Sequence, residues 1–211
     1  MRPPEAYARQ DESPDGNFYS FPRKVVHIDD GAIAALGRIY ADVLPPGGRI
    51  LDLMSSWRSH LPGGIHFREV VGLGMNVEEM SENPQLTSSV VHDLNCDPRL
   101  PFGDQEFDAA MCAVSIQYMI SPLPVFQEVR RVLRPGAPFV VAFSNRCFPT
   151  KAVAVWLSAT DREHVDLVRA YFETAGGWVG VTEEDWSRDD MGDPLYAVVA
   201  RTSLGYPGEL S

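Results

Sequence analysis

Apolar residues along the chain gather into short unbroken runs, and between those runs they recur at helical spacing. Ile50–Met54, Glu69–Leu73, Ser89–Val91, Asp108–Val114 and Pro138–Phe143 are strand-sized. The run from Asp108 is continuous, as in a strand covered on both faces. Ile33, Leu36, Ile39, Tyr40 and Val43 follow helical spacing behind two candidate N-caps, Asp29 and Asp30. Pro45-Pro46-Gly47-Gly48 stops that helix. A short helix is predicted over Val77–Met80. Another is predicted over Pro122–Leu133, with Val125, Phe126, Val129 and Val132 inward and Arg134-Pro135-Gly136 as the turn beyond it. Past Phe143 the pattern predicts helices over 150–158 and 161–174. Strands Trp178–Val181 and Leu195–Ala200 then read as an antiparallel pair.

Strands alternating with helices predict a largely parallel sheet with right-handed crossovers. One domain is expected over 29–202. Residues 1–28 form an amino-terminal arm or lid and 203–211 a tail. Residues 1–20, polar with Pro and Gly, read as a loose arm. Phe18-Tyr19-Ser20-Phe21-Pro22 is too aromatic for idle linker and reads as a cover on the body.

With 211 residues the chain suits one sizeable core. A formal net charge of −11 with no Lys/Arg run argues against nucleic acid and against anionic membranes as partners. No run approaches the ~20 apolar residues that span a bilayer, and no secretory leader is apparent. Cys96, Cys112 and Cys147 are odd in number and widely spaced, which favours free thiols in a cytoplasmic chain. None has a Cys or His neighbour at ligand spacing, so no metal site is expected.

Asp52 closes the first predicted strand. His92-Asp93-Leu94-Asn95 closes the third, followed by Leu100-Pro101-Phe102, Phe107-Asp108 and Leu133-Arg134-Pro135-Gly136. In this order and spacing, across 29–202, the chain resembles class I S-adenosylmethionine-dependent methyltransferases. The resemblance implies an α/β fold: a Rossmann-like, doubly wound, seven-stranded, mostly parallel sheet with helices on both faces. It implies S-adenosylmethionine as cofactor, with S-adenosylhomocysteine as product, and Asp93 beside the adenine with Leu94 flanking the ring.

The chain departs from that family in two places. Asp-x-Gly-x-Gly is replaced by Asp52-Leu53-Met54-Ser55-Ser56-Trp57, where glycine normally lets backbone approach the cofactor. The acid that normally ends the second strand and grips the ribose is absent, because Leu73 is followed by Gly74. Asn76 or Glu79 is then expected to reach the ribose.

Asp52, Met54, Ser55, Asn76, Asp93, Leu94 and Ser115 are the expected cofactor residues, Asp52 having strand capping as its alternative role. His60 is a candidate base or structural histidine, and Trp57 either walls the substrate pocket or closes the core. By the resemblance, Tyr118 and Gln117 face the transferring methyl group, and Tyr19, Arg23 and His27 fold over the cofactor. Asn145, Arg146 and Cys147 follow the fifth strand at the substrate rim, with Cys147 also readable as a packed thiol. Glu183-Glu184-Asp185 and Arg188-Asp189-Asp190 read as solvated loop.

The expected activity is methyl transfer to a small-molecule acceptor such as a thiol or other soft nucleophile, and a homodimer is compatible with it. The alternative is a catalytically inactive binding or scaffold protein of the same fold. An NAD-dependent reductase is disfavoured, because neither Gly-x-Gly-x-x-Gly nor Tyr-x-x-x-Lys is present.

Overall fold

A computed structural model describes residues 3–187 and 192–204. The charge run Arg188-Asp189-Asp190 and most of the expected tail lie outside the described residues.

The strands are β1 (Arg49–Leu53), β2 (Glu69–Gly74), β3 (Ser88–Val91), β4 (Ala109–Ala113), β5 (Pro138–Phe143), β6 (Trp178–Asp185) and β7 (Tyr196–Thr202). They form one seven-stranded sheet in the order β3-β2-β1-β4-β5-β7-β6. β1 to β5 pair in parallel, and β7 runs antiparallel to both β5 and β6. The expected fold class is therefore the observed one.

Strand alternation divides the core into two layers. Leu51, Leu53, Cys112, Phe139, Val141 and Phe143 face α4 (Pro122–Val132) and α6 (Asp161–Ala175). Ile50, Met111, Val140 and Ala142 face α2 (Asp30–Val43) through Leu36, Ile39 and Tyr40. Asp29 caps α2 by accepting from Ala32 N at 2.8 Å, and Thr160 with Glu163 forms a capping box on α6. The expected helix over 150–158 is reduced to α5, Ala154–Leu157.

Glu183, Glu184 and Asp185 belong to β6, paired with β7, and are not loop. Glu183 accepts from Arg162 and Arg169 of α6, so the edge strand is secured by ion pairs that its composition concealed. At the opposite margin β3 has only four residues, and three of them are exposed.

The arm is not loose. Arg9 bridges Val153, Asp11 N donates to Thr150 O at 2.9 Å, and Ala154 N donates to Ala8 O at 2.8 Å. Beneath it, Arg9 Nη1 donates to both oxygens of Asp15 at 2.7 and 2.8 Å. Lys151 is fully buried, with Nζ 3.1 Å from carboxylate oxygens of Asp11 and Asp15. Asp15 opens the short helix α1 (Asp15–Phe18), which leads the chain over the carboxyl ends of the strands.

Candidate active site

The sheet order reverses between β1 and β4. At such a switch point the loops leaving the strand tips diverge and open a crevice. Here the crevice is a cleft lined by the arm and by the segments that follow β1, β2, β3, β4 and β5.

Its floor starts at Asp52. This carboxylate is 4% exposed and points to the α2 side of the sheet. Oδ2 accepts from Ser55 Oγ and from Ser59 Oγ, each at 2.6 Å. Burial raises its pKa to about 6, against the lowering effect of the two hydroxyls. Ser59 Oγ also accepts from Asn83 Nδ2 at 2.9 Å, and the same nitrogen donates to Ser56 O. Side chains therefore hold the loop after β1 in place of the usual glycine turn.

Met54 keeps the backbone path that glycine would take, at φ +57°. Val114, at the tip of β4, stands at φ +51°. Both are costly for side chains of this kind, and both line the cleft.

The missing acid of β2 has a steric cause. A Cβ on Gly74 would lie 2.1 Å from Ser55 O, so the loop occupies the space such a side chain would need. The nearest carboxylate along the chain in the cleft wall is Glu79 of α3 (Val77–Ser81). It accepts from Ser56 Oγ at 2.6 Å and from Arg23 N. Asn76 is committed elsewhere: Oδ1 caps α3 at Glu79 N and Nδ2 donates to Tyr19 O.

Past β3, Asp93 Oδ1 accepts from Asn95 N at 2.9 Å, and Leu94 is buried beside it. Asn95 ties three segments together through Asp15 Oδ2, Tyr118 O and Ile120 N. Past β4, Ser115 Oγ donates to Ala113 O. Tyr118 is 6% exposed, and its hydroxyl accepts from Phe148 N at 2.8 Å. Burial pushes that phenol up to about 12, so it stays protonated at neutral pH.

The arm supplies the roof. Tyr19, Arg23 and His27 line it, and Trp57 Nε1 joins it by donating to Val25 O at 3.1 Å. His27 and His60 are both pushed below the usual histidine value by burial. The positive charge of His27 and of Arg58 lowers His60 further. His60 itself stands at φ +56°.

Of the expected site residues, Tyr19, Asp52, Met54, Ser55, Trp57 and His60 line this one cleft. So do Asn76, Asp93, Leu94, Ser115 and Tyr118. Four others do not. Gln117 is fully buried behind the wall, its Nε2 donating to Val114 O and Arg146 O, which braces the tips of β4 and β5. Asn145 and Arg146 are exposed, and Arg146 pairs with Asp193 at 2.6 Å. Cys147 lies outside the lining, with a thiol pKa raised by burial. The segment after β5 presents Phe148 to the cleft instead. An aromatic residue next to Pro149 was the available signal for it, and the polar residues before it drew attention away.

Residues 65–141 match the family described as methyltransferase domain. A malonyl-[acyl-carrier protein] O-methyltransferase from Marinomonas sp. is 31% identical over 67 residues, which cover 32% of this chain and 25% of that protein. The match thus spans about a quarter of that relative's length. Among solved structures, a chain of the complex between the Haloferax volcanii Trm112 methyltransferase activator and a candidate methyltransferase superposes with a TM-score of 0.59 at 16% identity. That match covers 84% of this chain and 92% of that one. The [4+2]-cyclase SpnF gives 0.60 at 16% identity, covering 90% and 92%. The chain shares the fold of these solved structures, and its residues 65–141 are similar to a methyltransferase domain. The chain combines this sheet order and crevice with a loop after β1 that is held by hydroxyls around one aspartate. Among the described residues no helix is long and apolar enough to cross a membrane, and no cluster of side chains could hold a metal ion.

Proposed function

We propose that the protein transfers a methyl group from S-adenosylmethionine to a small-molecule acceptor, with a thiol or another soft nucleophile as the preferred class. The observation carrying this reading is the left-handed turn at Met54. The chain tolerates a strain of about 1–2 kcal/mol there to keep the backbone course that the family's glycine provides. Such strain is retained where the surrounding structure, and often function, requires it. Asp93 and Leu94 suit the adenine end, and the loop at Met54 and Ser55 suits the amino-acid end. The cofactor supplies an activated methyl group when bound.

The residues of the chain then orient and desolvate. The arm roofs the cleft and excludes water. Tyr118 keeps its proton and serves as a hydrogen-bonding wall. Alignment of the reactants alone is worth about 7–11 kcal/mol, so a soft acceptor needs no strong base. For a hydroxyl or amine acceptor, His60 is the base, held neutral by its surroundings and therefore able to take a proton. The three free thiols suit a cytoplasmic setting.

A second reading, a binding protein without catalysis, is favoured by one observation: Ser55 and Ser59 direct their hydroxyls at Asp52 and away from a ligand. Isothermal titration with S-adenosylmethionine, followed by an acceptor panel monitored for S-adenosylhomocysteine release, separates the two. No heat of binding at millimolar ligand ends the enzyme reading. Binding without turnover on any acceptor favours the second.

A further inference from the structure

Most basic side chains of this acidic protein sit on a carboxylate. Arg9, Arg49, Arg131, Arg134, Arg162 and Lys151 each have an acid within 4.0 Å. Arg23 does not. It lines the cleft roof, part-buried, and among the described residues no carboxylate reaches its guanidinium. Glu79 binds only its backbone N–H. The guanidinium lies 3.9 Å from the centre of the Phe18 ring and 5.9 Å from that of Phe148. One N–H donates to Phe18 O. The ring contacts hold the fork at the cleft, and among the described residues its other N–H groups have no acceptor, an arrangement suited to bidentate capture of a carboxylate. Arg58 stands at the same mouth, 3.9 Å over the Trp57 ring, and it too lacks an acid among the described residues.

We propose that Arg23 is the cleft's receptor for a ligand carboxylate. A partly desolvated cation left unpaired in a chain of net charge −11 is what such a role requires, because the ligand completes the pair. The carboxylate belongs either to the amino-acid end of the methyl donor or to an acidic acceptor whose planar body packs on Phe148, Tyr118 and Trp57. The chemistry of capture is the same. The donor alternative rests on the methyl-transfer reading, and the acceptor alternative does not.

The test is isothermal titration of the full chain and its R23Q and R23K variants at low ionic strength. The probes are S-adenosylhomocysteine and 5′-methylthioadenosine, which lacks the amino-acid carboxylate, together with benzoate and its neutral twin benzamide. The expected result is that R23Q weakens a carboxylate-bearing probe about tenfold or more, spares its neutral twin, and is partly rescued by R23K. Loss confined to S-adenosylhomocysteine assigns the donor carboxylate, and loss confined to benzoate assigns the acceptor. The proposal is overturned if the wild type binds no acid better than its neutral twin, or if R23Q affects both members of each pair alike. Failure of the methyl-transfer reading looks different: the wild type then binds neither nucleoside, while the benzoate arm still reports on Arg23.

Discussion

The Cβ that Gly74 lacks would stand 2.1 Å from the carbonyl oxygen of Ser55. Loop and strand tip are fitted to one another, and Ser55 N donates back to Leu73 O at 2.8 Å. A carboxylate at the end of β2 and this serine loop are mutually exclusive.

Gly74→Ala is therefore expected to destabilise by about 1–3 kcal/mol, because the obstacle is backbone and not a flexible side chain. Gly74→Asp, which places an acid at the tip of β2, is expected to weaken S-adenosylhomocysteine binding. Urea unfolding and titration check both, and tighter binding by the aspartate variant would contradict the fit.

Met54 and Val114 occupy the left-handed region. At each position glycine should be more stable than alanine by about 1 kcal/mol, the reverse of the order in a helix or strand interior. Paired Ala and Gly variants compared by denaturant midpoint decide the matter. Equal midpoints would mean that the turn relaxes.

Asp52 has a raised pKa in the folded state, about 6 against 3.8. The folded protein thus holds a proton there that the unfolded chain releases, and stability falls as pH rises between those values. The stability advantage of wild type over Asp52→Asn should shrink from pH 4 to pH 7, by up to ~3 kcal/mol. Urea melts at several pH values measure it, and a difference that stays flat would place the carboxylate's pKa near its ordinary value.

Removing one member of a buried ion network leaves the others uncompensated. Lys151→Met should cost about 3–5 kcal/mol and expose residues 3–20 to protease ahead of the sheet. Limited proteolysis read by mass spectrometry follows it, and an arm that remains resistant would mean that its backbone bonds suffice.

His60→Ala should lower turnover about 10²–10⁴-fold with hydroxyl or amine acceptors and leave a thiol acceptor nearly untouched. Single-turnover rates with both classes provide the check. Equal losses for the two would make His60 a structural residue.

The sheet was legible because strands covered on both faces must be continuously apolar, and Asp52 and Asp93 stand out as the acids that end such runs. The loop after β1 was legible in composition and not in direction. Nothing local to Ser55 and Ser59 says that both hydroxyls turn inward to one oxygen. The arm misled for a related reason. Arg9, Asp15 and Lys151 pair with one another across most of the chain, so a segment that is polar in sequence is docked on the body in space. After β5, polar residue type pointed to Asn145, Arg146 and Cys147, while the cleft takes the ring of Phe148. At β6 the acidic run hid the continuation of the predicted strand beyond Val181, because its ion-pair partners lie on α6.

The two margins of the sheet also bear on how copies of this chain meet. β3 is too short to template another strand at length, and β6 carries acids along its end and a break in register between Val179 and Thr182. Strand addition by another chain at either side of the sheet is thereby discouraged.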